Sequence, residues 1–166
     1  MDRPSAWFWN ATRRTAVALV PTLARPDDEF AAGRLESQEY RLYLTMDRRD
    51  RQHACNITRK LLASRPDAPA VLVRAALLHD VGKAGKPYNP VHRMLAHLYT
   101  PGAMPTEPRY SGLRGAWQVK LHHHLYGATL IREAGGSEQV ARLVELHHEP
   151  GGDQDAALLK ALDDET

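Results

Sequence analysis

The chain has 166 residues, a net charge of +2 with histidine neutral, 43% hydrophobic and 25% charged residues. That is enough chain for one domain with a real core and too little for two, and the charge is too small to point to nucleic acid or an anionic membrane surface. A single cysteine, Cys55, excludes an internal disulfide, and with no signal-like opening and no bilayer-length apolar run the default expectation is the cytoplasm.

Strict period-two alternation is absent and β-branched residues are sparse, so the pattern reads as helical almost throughout. Residues 4–20 are expected to form a first helix carrying Trp7, Phe8 and Val17, ended by Pro21. Basic residues do not line one clear face there, which favours a packed helix over membrane contact. Pro26, Asp27 and Asp28 form a turn into a second helical stretch. Leu35, Leu42 and Met46 share helical spacing over 35–46, and Asp47 is placed to cap the next helix, 48–63, which carries His53, Ile57, Lys60 and Leu61. SRPDAP is a turn. Residues 69–80 make an apolar helix, Ala70 through Leu78, expected to be buried on most sides, with Gly82 as a left-handed helix end.

Residues 84–116 gather proline and glycine. They are expected to be loop-rich, with one helix near 90–99, and to close over substrate. Helix resumes over 116–134 and stops at Gly135-Gly136. Ser137 is then expected to cap a helix with Val140, Leu143, Val144 and His147 on shared faces. Pro150-Gly151-Gly152 breaks it, and Asp153 to Leu162 is the last helix. The expected organisation is an N-terminal helical extension, 1–34, packed on one domain, 35–166.

The nine histidines cluster. ALLHDVGK sets His79 and Asp80 side by side at the end of the apolar run. His53 lies upstream; His122, His123, His124, the pair His147 and His148, and the acidic pair Asp163 and Asp164 lie downstream. Imidazoles and carboxylates in such a set are what a divalent metal site is built from. His122 and His124 face away from His123 on a helix, so they are not expected to coordinate, though one is a candidate to hold a ligand's carboxylate. His92 and His97 are five apart, poor helical spacing for a pair of ligands, and are candidates for the pocket mouth. Glu149 is a candidate outer partner, Asp153 and Asp155 read as capping and surface residues, and Cys55 as a small buried residue.

Over residues 35–166 this ordered set resembles the HD superfamily of metal-dependent phosphohydrolases, and small stand-alone bacterial members in particular. The resemblance implies an all-α, single-domain helical bundle in which His53, His79, Asp80 and Asp163 form the minimal single-metal set. Asp80 is the bridge if two ions bind, and Asp163 is preferred over Asp164 because Leu159 and Leu162 point it toward the core edge. The larger set of HD-GYP-like branches implies His123, four residues before Gly127 in HHLYGATL, with His124 where that pattern has proline, and adds His147 and His148. Lys83 matches a lysine that approaches the substrate phosphate; its alternative role is to neutralise a helix C-terminus. The Gly-Tyr-Pro segment of that branch is absent, PGGDQD following HHE, so cyclic di-GMP is not the expected substrate.

The implied cofactor is one or two divalent ions of Mn, Fe, Co, Ni or Zn, which suit mixed imidazole and carboxylate ligands better than Mg or Ca do. The implied activity is hydrolysis of a small phosphomonoester, phosphodiester or nucleotide by metal-activated water, with Asp80 and Lys83 as catalytic residues. The expected partner is a small phosphorylated substrate, with no nucleic acid polymer and no membrane. The alternative is a non-catalytic HD module that binds a nucleotide or a partner, its metal structural or absent.

Overall fold

Among the described residues, several helices start at a side chain that accepts the backbone donors a helix N-terminus leaves unpaired. The structure is a computed structural model describing residues 24–86 and 90–165. The helix expected over 4–20 lies outside the described residues, as do the side chains of Pro90 and His97. Asp27 opens α1 (Asp28–Ala32) by accepting the Phe30 N–H at 3.0 Å. The segment expected to be helical over 35–46 is shorter, α2 (Ser37–Tyr43), entered through a reciprocal capping box between Glu36 and Glu39. It ends early because Thr45 and Met46 bond back to Leu42 and Tyr43, and the Thr45 hydroxyl donates to the Leu42 carbonyl at 2.7 Å.

Asp47 caps α3 (Arg48–Ser64) as its position suggested, accepting from Arg49 N–H at 2.8 Å and Asp50 N–H at 3.0 Å. Burial opposes ionisation of Asp47, but the hydrogen bonds from Arg49 and Asp50 and the charges of Arg49 and Arg93 outweigh it and hold the carboxyl below its ordinary 3.8. The unfolded chain therefore takes up this proton first as pH falls. The cap's contribution is present above about pH 3.8 and is lost as pH drops through the lower folded value. Asp47→Ala is expected to cost about 1 kcal/mol at neutral pH. Asp47→Asn should keep most of that while flattening the acid limb, both read from urea midpoints between pH 2.5 and 7.

The apolar α4 (Ala70–Leu78) buries Leu72, Val73, Ala75, Ala76, Leu77 and Leu78 and packs against α3 on one side. Its one charged residue, Arg74, reaches out to the fully buried Glu39 through two hydrogen bonds of 2.6 and 2.7 Å and to Glu36 at 2.7 Å, fastening α2 to the core. A single 3₁₀ turn, Val81–Lys83, follows. Then come α5 (Pro90–Leu98), α6 (Gly112–Glu133), α7 (Glu138–Leu146) and α8 (Gln154–Asp164). α7 covers another side of α4 with Val140, Ala141, Leu143 and Val144, α6 packs on both α7 and the 3₁₀ turn, and α8 closes the end of α3. Among the described residues there is no strand, so the fold is all-α. No helix among them is long and apolar enough to cross a membrane.

Three local expectations are corrected. Gly82 is not a left-handed helix end, since its φ is not positive. It is glycine because the backbone of α6 passes against it: a Cβ there would lie 1.9 Å from the His123 carbonyl oxygen. Ser137 stands at the start of α7, but its side chain makes no capping bond; its backbone N–H instead approaches Glu39 Oε1 at 3.5 Å. α6 begins at Gly112 rather than near 116, because Gly115 lets the Tyr110 carbonyl lie across the helix, where a Cβ would come within 2.6 Å of it.

Residues 99–110 have no regular structure, yet α6 holds them along its length. Trp117 Nε1 donates to the Tyr99 carbonyl at 2.7 Å and His122 Nε2 to the Met104 carbonyl at 2.9 Å. The Tyr126 hydroxyl donates to the Thr106 carbonyl at 2.6 Å. Gln118, 2% exposed, donates to the Pro105 and Glu107 carbonyls and accepts from the Arg109 and Tyr110 N–H groups. Backbone polar groups that leave water need such partners, and α6 supplies them.

Candidate metal centre

Three buried imidazoles are held in one tautomer by their own helices. The Nδ1–H of His79 donates to the Ala76 carbonyl at 2.9 Å, that of His123 to Val119 at 3.0 Å, and that of His147 to Val144 at 2.6 Å. A carbonyl only accepts, so Nδ1 carries the proton and Nε2 is left to serve as donor atom toward the middle of the cluster. Among the described residues, Nε2 of all three is buried without a hydrogen-bond partner. An unpartnered buried polar atom costs about 1–3 kcal/mol, and three converging ones are what a metal ion would satisfy.

The elements bring the donors together from across the chain. His53 comes from the second turn of α3, His79 from the end of α4, Asp80 from the start of the 3₁₀ turn, His123 from the middle of α6, His147 and His148 from the end of α7, and Asp163 from the last turn of α8. Two groups form. Donor atoms of His53, His79 and Asp80 lie within 4.8 Å of one another, and so do those of His123, His147 and His148. Asp80 joins the groups: its Oδ1 is 3.6 Å from His79 Nε2 and 3.2 Å from His123 Nε2. Asp163 Oδ1 is 2.8 Å from His53 Nε2 and 3.6 Å from His79 Nε2. Asp164 turns away to an exposed pair with Lys160 at 2.7 Å. The Lys83 ammonium sits 2.6 Å from Asp80 Oδ1.

The remaining candidates separate clearly. His148 is half-buried, its ring centroid 4.5 Å from those of His123, His124 and His147. His124 is tilted by 31° against the His148 ring, and its Nδ1 has no hydrogen-bond partner among the described residues. His122 holds the Met104 carbonyl instead. His92 abuts Gly112 at the start of α6, and Glu149 is exposed. Asp153 caps α8 and Asp155 pairs with Arg65 on the surface. Cys55 is buried beside the Tyr43 hydroxyl. The clamp on residues 99–110 was missed from sequence. Its signal was the polar series Gln118, His122 and Tyr126, spaced four apart on one face of α6.

The electrostatics separate the imidazoles further. Burial, helped by the Lys83 charge, pushes His123 down to about 4. Burial and the neighbouring imidazoles push His147 and His148 to about 3. These three are neutral at pH 7, the form that donates to a metal. Burial would lower His79 as well, but the charges of Asp80 and Asp163 outweigh it and raise the imidazole to about 9. At 3.6 Å those carboxylates act on His79 through charge rather than hydrogen bonds. A cation taking that lone pair therefore has to displace a proton. Burial resists ionisation of Asp163, yet its hydrogen bond from His53 and the charge of His79 hold it far below the usual carboxylate range. Lys83 and His79 do the same for Asp80. Neutral imidazoles beside ionised carboxylates fit a first-row divalent ion.

No curated protein and no solved structure matches the chain. The family model described as HD domain matches residues 52–165, which takes in every one of these donors. Proteins of that kind are metal-dependent phosphohydrolases that bind divalent ions, and a His/Asp cluster of this composition is compatible with such binding. With more than half of its length matched, the chain belongs to the HD-domain family.

Proposed function

We propose that the chain is a metal-dependent phosphohydrolase acting on a small phosphoester or nucleotide, with His53, His79, Asp80, His123, His147, His148 and Asp163 as metal ligands. The observation that carries this reading is the gathering of three tautomer-locked, unpartnered Nε2 atoms in one cluster, two of them, those of His79 and His123, beside Asp80 Oδ1 at 3.6 and 3.2 Å. Held there, one or two divalent ions of Mn, Fe, Co, Ni or Zn would lower the pKa of water and offset charge on phosphoryl oxygens. Asp80, 1% exposed and between the two groups, supplies the negative charge both need. His53 and Asp163 hold one another at the cluster's more open edge, where both side chains are about one quarter exposed.

Lys83 is the part of the site that reaches substrate in this reading. Its side chain is 19% exposed, and its ammonium can leave Asp80 for a phosphate oxygen without crossing the core. There it would stabilise charge that grows as the phosphoryl group transfers. The expected partner is accordingly a small phosphorylated molecule, with neither a nucleic acid polymer nor a membrane required.

Elemental analysis of tag-free protein, followed by a phosphomonoester, phosphodiester and nucleotide panel with the metals found, tests the reading. One or two first-row ions per chain with turnover supports it. Stoichiometric metal with no turnover of any ester moves the protein to a non-catalytic nucleotide- or partner-binding module. Lys83→Gln should lower kcat/KM by about 10²- to 10³-fold, the scale of removing one preorganised charge stabiliser, while leaving metal content unchanged.

A further inference from the structure

The imidazoles gathered at the centre are not all oriented in the same way. The rings of His79, His123 and His147 are fixed by hydrogen bonds to carbonyls three or four residues back, and His53 Nε2 lies 2.8 Å from Asp163 Oδ1. His148 has no such bond among the described residues. The cause is its place in the chain. α7 closes at Leu146 with His147 as its C-cap, and residues 147–149 form a bend. A helical side chain leans back over the preceding turn, and past the end of the helix that geometry no longer applies.

What His148 has instead is ring contact. The centroids of His123, His124 and His147 all stand 4.5 Å from its own, the short end of the range for aromatic pairs. His123 and His147 cross it at 83° and 70°, whereas His124 lies closer to its plane, at 31°. His124 follows His123 in the middle of α6, which packs along α7, and only 9% of its surface is exposed. A side chain with two rotatable bonds on a packed helix makes a stiff wall.

We propose that His124 is a positioning residue: it covers one face of the His148 imidazole and holds that ring toward His123 and His147, in place of the carbonyl that orients the other buried histidines. Its consequence for metal binding rests on the function proposed above; its effect on ring order does not. The other roles open to His124 fit less well. Its nitrogens lie outside the donor group of His123, His147 and His148, which speaks against a ligand. Its Nδ1 is buried without a hydrogen-bond partner among the described residues, which speaks against an anchor through that atom. Burial speaks against a solvent-facing bystander.

Histidine-ring NMR of the metal-free full chain, run beside calorimetric titration with Mn and Zn, tests the proposal. In the unsubstituted protein the His148 ring protons should show Overhauser contacts to the His123 and His147 rings. His124→Ala should weaken those contacts at least twofold and leave the contact between His79 and His147, whose centroids are 5.5 Å apart, unchanged. The same substitution should lower metal affinity about tenfold, the low end for a residue that acts through a ligand. His124→Phe keeps a flat ring and gives up both nitrogens, so it should restore ring contacts and affinity together. The proposal is overturned if His124→Ala leaves the His148 contacts in place, or leaves affinity unchanged in protein that binds metal. Equal weakening of the contact between His79 and His147 overturns it too, since His124 would then support the whole cluster rather than one ring. A folded His124→Phe protein that behaves like His124→Ala overturns it by showing that a nitrogen is needed. If His124→Phe does not fold, the ring contacts of His124→Ala decide alone. Protein that takes up no metal defeats the proposed function, and the ring contacts still decide the role of His124.

Discussion

Asp80→Asn protein is expected to fold with its full helix content and to lose metal binding and phosphoester turnover together. Asparagine matches aspartate in size, so the buried position keeps its packing. What disappears is one negative charge placed 2.6 Å from Lys83 Nζ, 3.2 Å from His123 Nε2 and 3.6 Å from His79 Nε2. The His123/His147/His148 group is made of neutral imidazoles, and Asp80 Oδ1 lies 3.2 Å from His123 Nε2 within it. Without that charge a divalent ion there would lose the carboxylate that lies 3.2 Å from His123 Nε2.

Partners one bond removed from a metal are worth 10- to 100-fold in affinity, so losing the shared carboxylate should cost more than about 100-fold. Turnover should fall by at least that much. Isothermal titration with Mn, Co and Zn, run beside a phosphoester assay, measures both. An Asp80→Asn protein that kept wild-type metal stoichiometry and affinity would remove Asp80 from the centre. The stability effect should be smaller, on the order of 1–3 kcal/mol, because Lys83 is partly exposed and can turn to water.

How much of this was readable from sequence depends on whether the determining contact is local. The helix order was readable because α4, α7 and α8 show their apolar periodicity within one segment, and Asp27, Asp47 and Asp153 are caps whose hydrogen bonds span two or three residues. That Asp163 rather than Asp164 turns toward His53 was readable for the same reason: buried Leu159 and Leu162 define the inward face of α8. The Nδ1 locks were not. Every helical histidine has a carbonyl three or four residues back, and only packing decides whether its ring turns toward it. The clamp on residues 99–110 was not readable either, since an irregular segment carries no period and its partners lie 8–20 residues away. Gly82 was misread for a related reason. A glycine after a helix has a local explanation in handedness, whereas this one answers to a backbone some forty residues distant.

Gly82 accordingly carries the second large expected effect. Gly82→Ala should destabilise the protein by roughly 3 kcal/mol or more, above the usual range for one added methyl group. The new Cβ would fall 1.9 Å from the His123 carbonyl oxygen and 2.6 Å from Gly127 N. Both are backbone atoms in the middle of α6, so no side-chain rotation relieves the overlap. Restoring ordinary contact requires α6 to withdraw by about 1.5 Å. His123 rides on the displaced residue itself. Its Nε2 would leave the 3.2 Å position beside Asp80 and the group it forms with His147 and His148.

The substitution should therefore lower metal content as well as the urea midpoint. Gly85→Ala is the contrasting case. Gly85 has a φ of +64° and nothing within 4 Å of an added Cβ, so the cost should be about 1 kcal/mol of backbone strain, with metal stoichiometry unchanged. Urea denaturation and elemental analysis of the two variants side by side separate a general intolerance of the 81–86 turn from a specific close approach of α6. Equal losses in both would mean that the turn's conformation, and not its contact with His123, holds the centre together.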